Sequence, residues 1–261
     1  NLGNCKFIAL NTTGTYNFFT QTNFLQDRLD EANADASTDF VFVYNHQPGH
    51  TELWPDGNMA YVEDNLYPLE AACPKMVLTT HGHSHNYERG AIRGTHSGNW
   101  DYWEVLSGGA GGSLDRWGMY GNQTNYPEIQ KSLDHYNFML VDVDMSAKTV
   151  FAKTYSLGNT DKPRNLEVLD KWHRILNQPA PDKPDAISPE SYASAQPTLT
   201  ASAFSGLDTL MTSEFQLVLS SGSFSSPLID VVADIDNFYG DSGSPFYNPV
   251  NLNAGLDLGT Y

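Results

Sequence analysis

The stretch that decides the fold is Met76-Val77-Leu78-Thr79-Thr80-His81-Gly82-His83-Ser84-His85-Asn86-Tyr87-Glu88-Arg89. Met76–Thr80 reads as a buried strand, and a loop with histidine at every second position follows at once. The same arrangement occurs upstream. Phe40–Tyr44 (FVFVY) is a continuous apolar run, of the kind covered on both faces of a parallel sheet. Asn45-His46-Gln47-Pro48 comes directly after it. Ligands of open α/β sheets collect beyond the carboxyl ends of the strands, so both histidine loops should emerge on one rim. A neutral imidazole is the commonest metal ligand near neutral pH. Extended backbone points His83 and His85 to one face, whereas a turn at Ser84 sends them to two different ions. His50 and His81 add imidazole nearby, as site residues or as loop decoration.

Outward from this centre, Lys6–Leu10 (KFIAL) reads as a strand. Leu25, Leu29, Ala32 and Ala36 form one apolar stripe, which predicts a helix with Thr20 or Thr22 as its cap. Val62–Ala72 predicts a second helix with Leu66 and Leu69 facing inward. Strand, helix, strand, helix, strand is the pattern of a mostly parallel α/β sheet. Tyr102–Leu106, Phe138–Val143 and Thr149–Tyr155 then read as successive strands, the last two joined by a hairpin at Asp144–Ala147. They predict an antiparallel edge on that sheet. Asp170–Arg174 reads as part of a final strand.

Residues 177–197 hold five prolines and little apolar content, which predicts a linker. Residues 198–261 alternate Ser/Thr with apolar residues, with the best strands at Phe215–Leu219 and Leu228–Val232. They predict the start of a β-sandwich module of immunoglobulin or fibronectin III type, short of the ~100 residues such a module usually needs.

The 261 residues carry 14 Lys+Arg against 31 Asp+Glu, a formal charge of −17. Such a surface repels phosphate backbones and anionic membranes, so no nucleic-acid partner is expected. No apolar run approaches the ~18–20 residues of a membrane span. Cys5 and Cys73 are compatible with one bridge in an oxidising compartment or with two buried thiols. Asn11-Thr12-Thr13 and Asn122-Gln123-Thr124 are acceptor triplets for glycosylation. Ser107-Gly108-Gly109-Ala110-Gly111-Gly112 lacks the Lys-Ser/Thr of a nucleotide P-loop and reads as a turn closing over the edge of the site.

Gly82-His83-Ser84-His85-Asn86-Tyr87-Glu88-Arg89 resembles the last signature of the calcineurin-like metallophosphoesterases. The Tyr-Glu-Arg tail is similar to the purple acid phosphatase branch, and Asn45-His46-Gln47-Pro48 resembles the preceding signature. The likeness covers roughly residues 1–176. It implies the C-terminal half of a four-layer α/β sheet sandwich. It also implies a secreted, periplasmic or cell-surface hydrolase of phosphate esters with two metal ions (Fe, Zn, Mn or similar). By correspondence, His46 and His83 would hold one ion and His85 the other. Gln47 stands where the family often has a second His. His50 stands where an aromatic often follows, and could donate to phosphate or protonate a leaving group. The earlier signatures, with their Asp-rich ligands and bridging carboxylate, do not occur in residues 1–261. The expectation is a chain whose first-half ligands come from a separate polypeptide or from sequence outside these residues. Two other readings are a catalytically silent structural or adhesive module, and a single zinc ion held by His46, His83 and His85.

Overall fold

The computed structural model describes residues 2–13, 18–92, 102–124, 126, 128–177, 182, 185–188, 200–203, 205 and 213–233. The chain runs β1 (Cys5–Ala9), α1 (Phe18–Ala34), β2 (Phe40–Tyr44), a 3-10 turn at Pro55–Gly57, and a π turn at Val62–Leu66. That turn leads into α2 (Tyr67–Ala71), then β3 (Met76–His81), β4 (Tyr87–Ile92), β5 (Tyr102–Ser107) and β6 (Ile129–Leu133). Three longer strands follow: β7 (Tyr136–Asp144), β8 (Thr149–Gly158) and β9 (Pro163–Ile175).

Two sheets result. The larger has the order β1-β2-β3-β5-β4-β6. Strands β1, β2, β3 and β5 are parallel, whereas β4 runs antiparallel to both β5 and β6. The smaller, β7-β8-β9, is wholly antiparallel. The fold is therefore mixed α/β, and the expected antiparallel edge is placed differently. Tyr102–Ser107 is an inner parallel strand, β4 and β6 make the edge, and β7 and β8 belong to a second sheet.

The pleat sorts the core. Val41, Val43, Met76, Ile92 and Tyr102 pack with Leu25 and Leu29 of α1 on one face. Phe40, Phe42, Leu78, Trp103 and Val105 pack with Val150, Ala152 and Trp172 of the small sheet on the other. Three layers stack: helices, six strands, three strands. Trp103 and Trp172 meet across the sheets with centroids 5.4 Å apart, an aromatic contact worth roughly 0.5–1.5 kcal/mol beyond area burial.

The second helix is not uniformly α. Pro68 has no N–H to give to residue 64, so the preceding turn widens and the Tyr67 N–H bonds the Val62 carbonyl. Thr20 and Thr22 lie inside α1, which begins at Phe18, so neither is its cap. The Thr22 hydroxyl instead meets the Tyr61 hydroxyl at 2.5 Å and ties the two helical segments together. The hairpin after β7 forms as expected, with Asp144 Oδ1 accepting from the N–H groups of Ser146 and Ala147.

Cys5 and Cys73 are both free and buried. They lie in the two clusters on opposite faces of the large sheet, so no bridge joins them.

Residues of β1, β2, β3 and β7 face one another where the two sheets part. An apolar groove of about 450 Å³ opens there, lined by Phe7, Phe42, Tyr44, Met139, Val141 and neighbouring residues. Phe7 is 49% exposed and Tyr44 47%.

Within the proline-rich stretch, β10 (Ala186–Ser188) pairs with β11 (Thr200–Ala201), so that stretch is not uniformly without structure. An antiparallel pair, β12 (Ser213–Leu217) and β13 (Ile229–Ala233), forms close to the two strands expected there. Most of the expected β-sandwich module lies outside the described residues. Among the described residues, no helix is long and apolar enough to cross a membrane.

Candidate metal centre

The carboxyl ends of β2, β3 and β5 share one rim because those strands are parallel neighbours. His46 leaves β2 two residues after its last residue, and His83 leaves β3 two residues after its last. The Gly82 N–H donates to the His46 carbonyl at 3.1 Å, which stitches the two loops together. Their side chains meet: His46 Nε2 lies 3.0 Å from His83 Nδ1, with the rings edge to face. Two nitrogens on one ion with bonds of about 2.0–2.1 Å lie about 3–3.4 Å apart, so this pair fits a shared cation. Without a cation, one of the two nitrogens must carry the proton the other accepts.

His83 itself is held in the left-handed region, φ 71°, which a residue with a Cβ adopts only at a cost. The turn there answers the question left open at Ser84. His85 points elsewhere, and its Nδ1 meets the Ser113 carbonyl at 2.7 Å. A carbonyl only accepts, so Nδ1 carries the hydrogen and Nε2 keeps its lone pair, the arrangement that orients a metal-binding imidazole. Among the described residues, no three His, Cys, Asp or Glu side chains gather about one ion. The single zinc ion held by three histidines is therefore corrected: His83 faces His46 and His85 does not join them. Burial, and then repulsion from His46 and His85, lowers the His83 pKa below the ordinary histidine value.

Several braces went unseen in the sequence. Asp115 accepts from the His85 N–H at 2.7 Å, from the Ser84 hydroxyl at 3.3 Å and from the Tyr120 hydroxyl at 2.8 Å. The first two glycines of the run turn their N–H groups to the protein itself. Gly108 and Gly109 donate their N–H groups to the Asn86 carbonyl. A Cβ on Gly108 would stand 1.9 Å from the Ser84 carbonyl oxygen, and one on Gly112 would stand 2.7 Å from the His85 ring. Gly108 and Gly112 thus pack directly against the histidine loop. Trp54 covers the pair from outside, its ring 4.7 Å from that of His83.

His50 sits differently from the role expected of it. Its Nδ1 meets Glu128 at 2.6 Å and its Nε2 meets Glu63 at 3.0 Å, while Tyr126 stacks on the ring at 4.6 Å. Burial opposes its charge, but the two carboxylates prevail and raise its pKa. With both nitrogens engaged, the ring clasps two chain segments. His81 is buried behind the rim, its Nε2 3.3 Å from Glu104.

The signature tail divides by the pleat of β4. Tyr87 and Arg89 face the small sheet, where both bond Asp170, with Lys131 3.2 Å from the same carboxylate. Asn86 and Glu88 face the other way, where Glu88 gathers the Thr51–Leu53 segment.

No protein-family model matches this sequence. No curated protein matches it either. Among solved structures, one titled "Structure of PhoD" is similar with a TM-score of 0.44 and 10% identity, over 64% of this chain and 34% of that one. The chain thus spans about a third of the length of that protein.

Proposed function

We propose that this chain contributes His46, His83 and His85 to a dinuclear metal site that hydrolyses phosphate esters, in the manner of the purple acid phosphatase signature it resembles. The observation that carries the reading is the His46–His83 contact at 3.0 Å on the rim where parallel strands end. Imidazole donors suit zinc and iron. Ions held there would supply a metal-activated hydroxide and stabilise charge on the attacking and leaving oxygens, reversing the local field of an acidic protein.

The chain's own residues have simpler tasks. His46 and His83 offer adjoining lone pairs, and the Ser113 carbonyl fixes the tautomer of His85. Trp54 shields His83 from one side. The remaining ligands, including carboxylates, would come from polypeptide beyond these residues or from a second chain. The free edges of β1 and β7 and the groove between them offer such polypeptide strands to pair with and an apolar seat. A secreted or cell-surface location belongs to the same reading.

The test uses the protein with its full upstream sequence. Elemental analysis should find about two metal ions per molecule, and a generic aryl phosphate should be hydrolysed. Replacing His83 and His85 by Ala should abolish both. Undiminished turnover in that double variant overturns the proposal.

A second reading is a structural or adhesive module that keeps the fold without the chemistry. It is favoured by the absence, among the described residues, of any three-residue ligand group. It predicts neither metal nor hydrolysis in the full-length protein.

A further inference from the structure

The buried glutamates Glu52 and Glu88 have no assigned task, and Glu88 reaches the histidine rim through a single loop. Glu88 is 2% exposed. Its Oε1 receives the Thr51 hydroxyl at 2.9 Å, the Glu52 N–H at 3.0 Å, the Leu53 N–H at 3.3 Å and the Asn86 amide at 2.6 Å. One oxygen thus collects three donors from consecutive residues of a segment otherwise outside regular structure, and a fourth from Asn86 just before its own strand. Buried N–H groups left without an acceptor are costly, so this oxygen sets where residues 51–53 can lie.

The next residue is Trp54. Its indole rests on the His83 ring at 4.7 Å. Gly57, at the end of the same turn, is so close that a Cβ there would stand 2.8 Å from Trp54 and 3.0 Å from His83. The far side of the segment is secured by Glu52, whose Oε1 accepts from the Tyr126 N–H at 2.8 Å and whose Oε2 accepts from the Ser132 hydroxyl. The segment is therefore pinned on both flanks, and its free end presses on the imidazole.

We infer that Glu88 is a positioning residue: it holds the Thr51–Trp54 segment so that the Trp54 indole fixes the ring of His83 against His46. The placement of the indole is independent of the metal reading. The consequence for metal affinity rests on that reading.

The protein with its full upstream sequence and its Glu88→Ala, Glu88→Gln and Trp54→Phe variants separate the two, with circular dichroism and thermal melts establishing that each is folded. Acrylamide quenching of fluorescence, taken as the difference from Trp54→Phe, isolates Trp54 from the other tryptophans without any metal. In the parent protein and in Glu88→Gln, whose amide oxygen still accepts, Trp54 should be shielded. In Glu88→Ala its quenching constant should rise about two- to threefold. Titration with Co²⁺ should then show affinity about tenfold weaker in Glu88→Ala and in Trp54→Phe, the scale of losing an outer-shell partner of a metal ligand, and near parent in Glu88→Gln. If Glu88→Ala does not fold, Thr51→Val removes one donor and should move both readouts in the same direction by less. Unchanged Trp54 shielding in a folded Glu88→Ala or Thr51→Val overturns the inference. Increased Trp54 exposure with no Co²⁺ binding by the parent supports the positioning and overturns the metal reading instead.

Discussion

Nε2 of His46 stands 3.0 Å from Nδ1 of His83, although 36 residues separate the two in sequence. Burial does not draw the His46 ring there, since it is exposed. The parallel pairing of β2 with β3 and the Gly82-to-His46 backbone bond place the rings together. A protein that exposes two basic nitrogens this close needs a proton or a cation between them.

That relationship predicts the response to ligand loss. His46→Ala and His83→Ala should each weaken Zn²⁺ binding by about 100-fold or more, beyond the 10–100-fold typical of outer-shell partners. His50→Ala should leave it within a few-fold, because His50 bonds Glu63 and Glu128 instead. Titration calorimetry on the protein with its full upstream sequence checks both.

The glycine run makes a steric prediction. Gly108→Ala places a methyl 1.9 Å from a backbone oxygen of the histidine loop. It should destabilise the protein by about 1–3 kcal/mol or more and weaken metal binding with it. Gly121→Ala, where a Cβ meets nothing within 4 Å, should do neither. Urea denaturation distinguishes them.

Glu70 carries a stability cost that grows with pH. Burial pushes its carboxyl to about 8, in spite of the hydrogen bond from the Tyr102 hydroxyl at 2.9 Å. Between the ordinary glutamate value of about 4.3 and about 8, the unfolded chain has released a proton that the folded chain still holds. Stability therefore falls as pH rises across that window, by at most about 1.4 kcal/mol per unit from this group. Glu70→Gln keeps an acceptor for Tyr102 and removes the titration. The variant should gain on the parent steadily from pH 5 to pH 8 in urea melts.

Asp170 behaves in the opposite way. Burial raises its pKa, but Arg89 and Lys131 outweigh burial and hold the carboxyl below its usual range. Its contribution is present above the unfolded value of about 3.9 and is lost as pH falls through the folded one. Asp170→Asn removes the carboxylate that Arg89 and Lys131 share and should cost about 3–5 kcal/mol at neutral pH. It should also flatten the acid limb of the stability profile.

The parallel half of the fold was legible because β2 is an uninterrupted apolar run, β1 and β3 are mostly apolar, and α1 carries a clean stripe. Strand β4 was hidden because its residues Tyr87, Glu88 and Arg89 read as a motif. Its buried side chains are charged, and their partners Asp170, Lys131 and Thr51 lie far away in sequence. The histidine pair was legible from two loops following two strands. Asp115 and Trp54 were not, since neither has a periodic pattern or a nearby partner in sequence. The π turn before Pro68 needed knowledge of which carbonyls the proline leaves unanswered.

The left-handed backbone at position 83 sets two demands against one another. The main chain there is best served by glycine, which reaches φ 71° without the penalty of about 1–3 kcal/mol borne by a side chain in sparsely populated backbone. The imidazole is wanted for its nitrogen. His83→Gly would therefore yield a sturdier but chemically emptier protein. Laboratory selection for thermal endurance alone would drift toward discarding the very group that gives this rim its character.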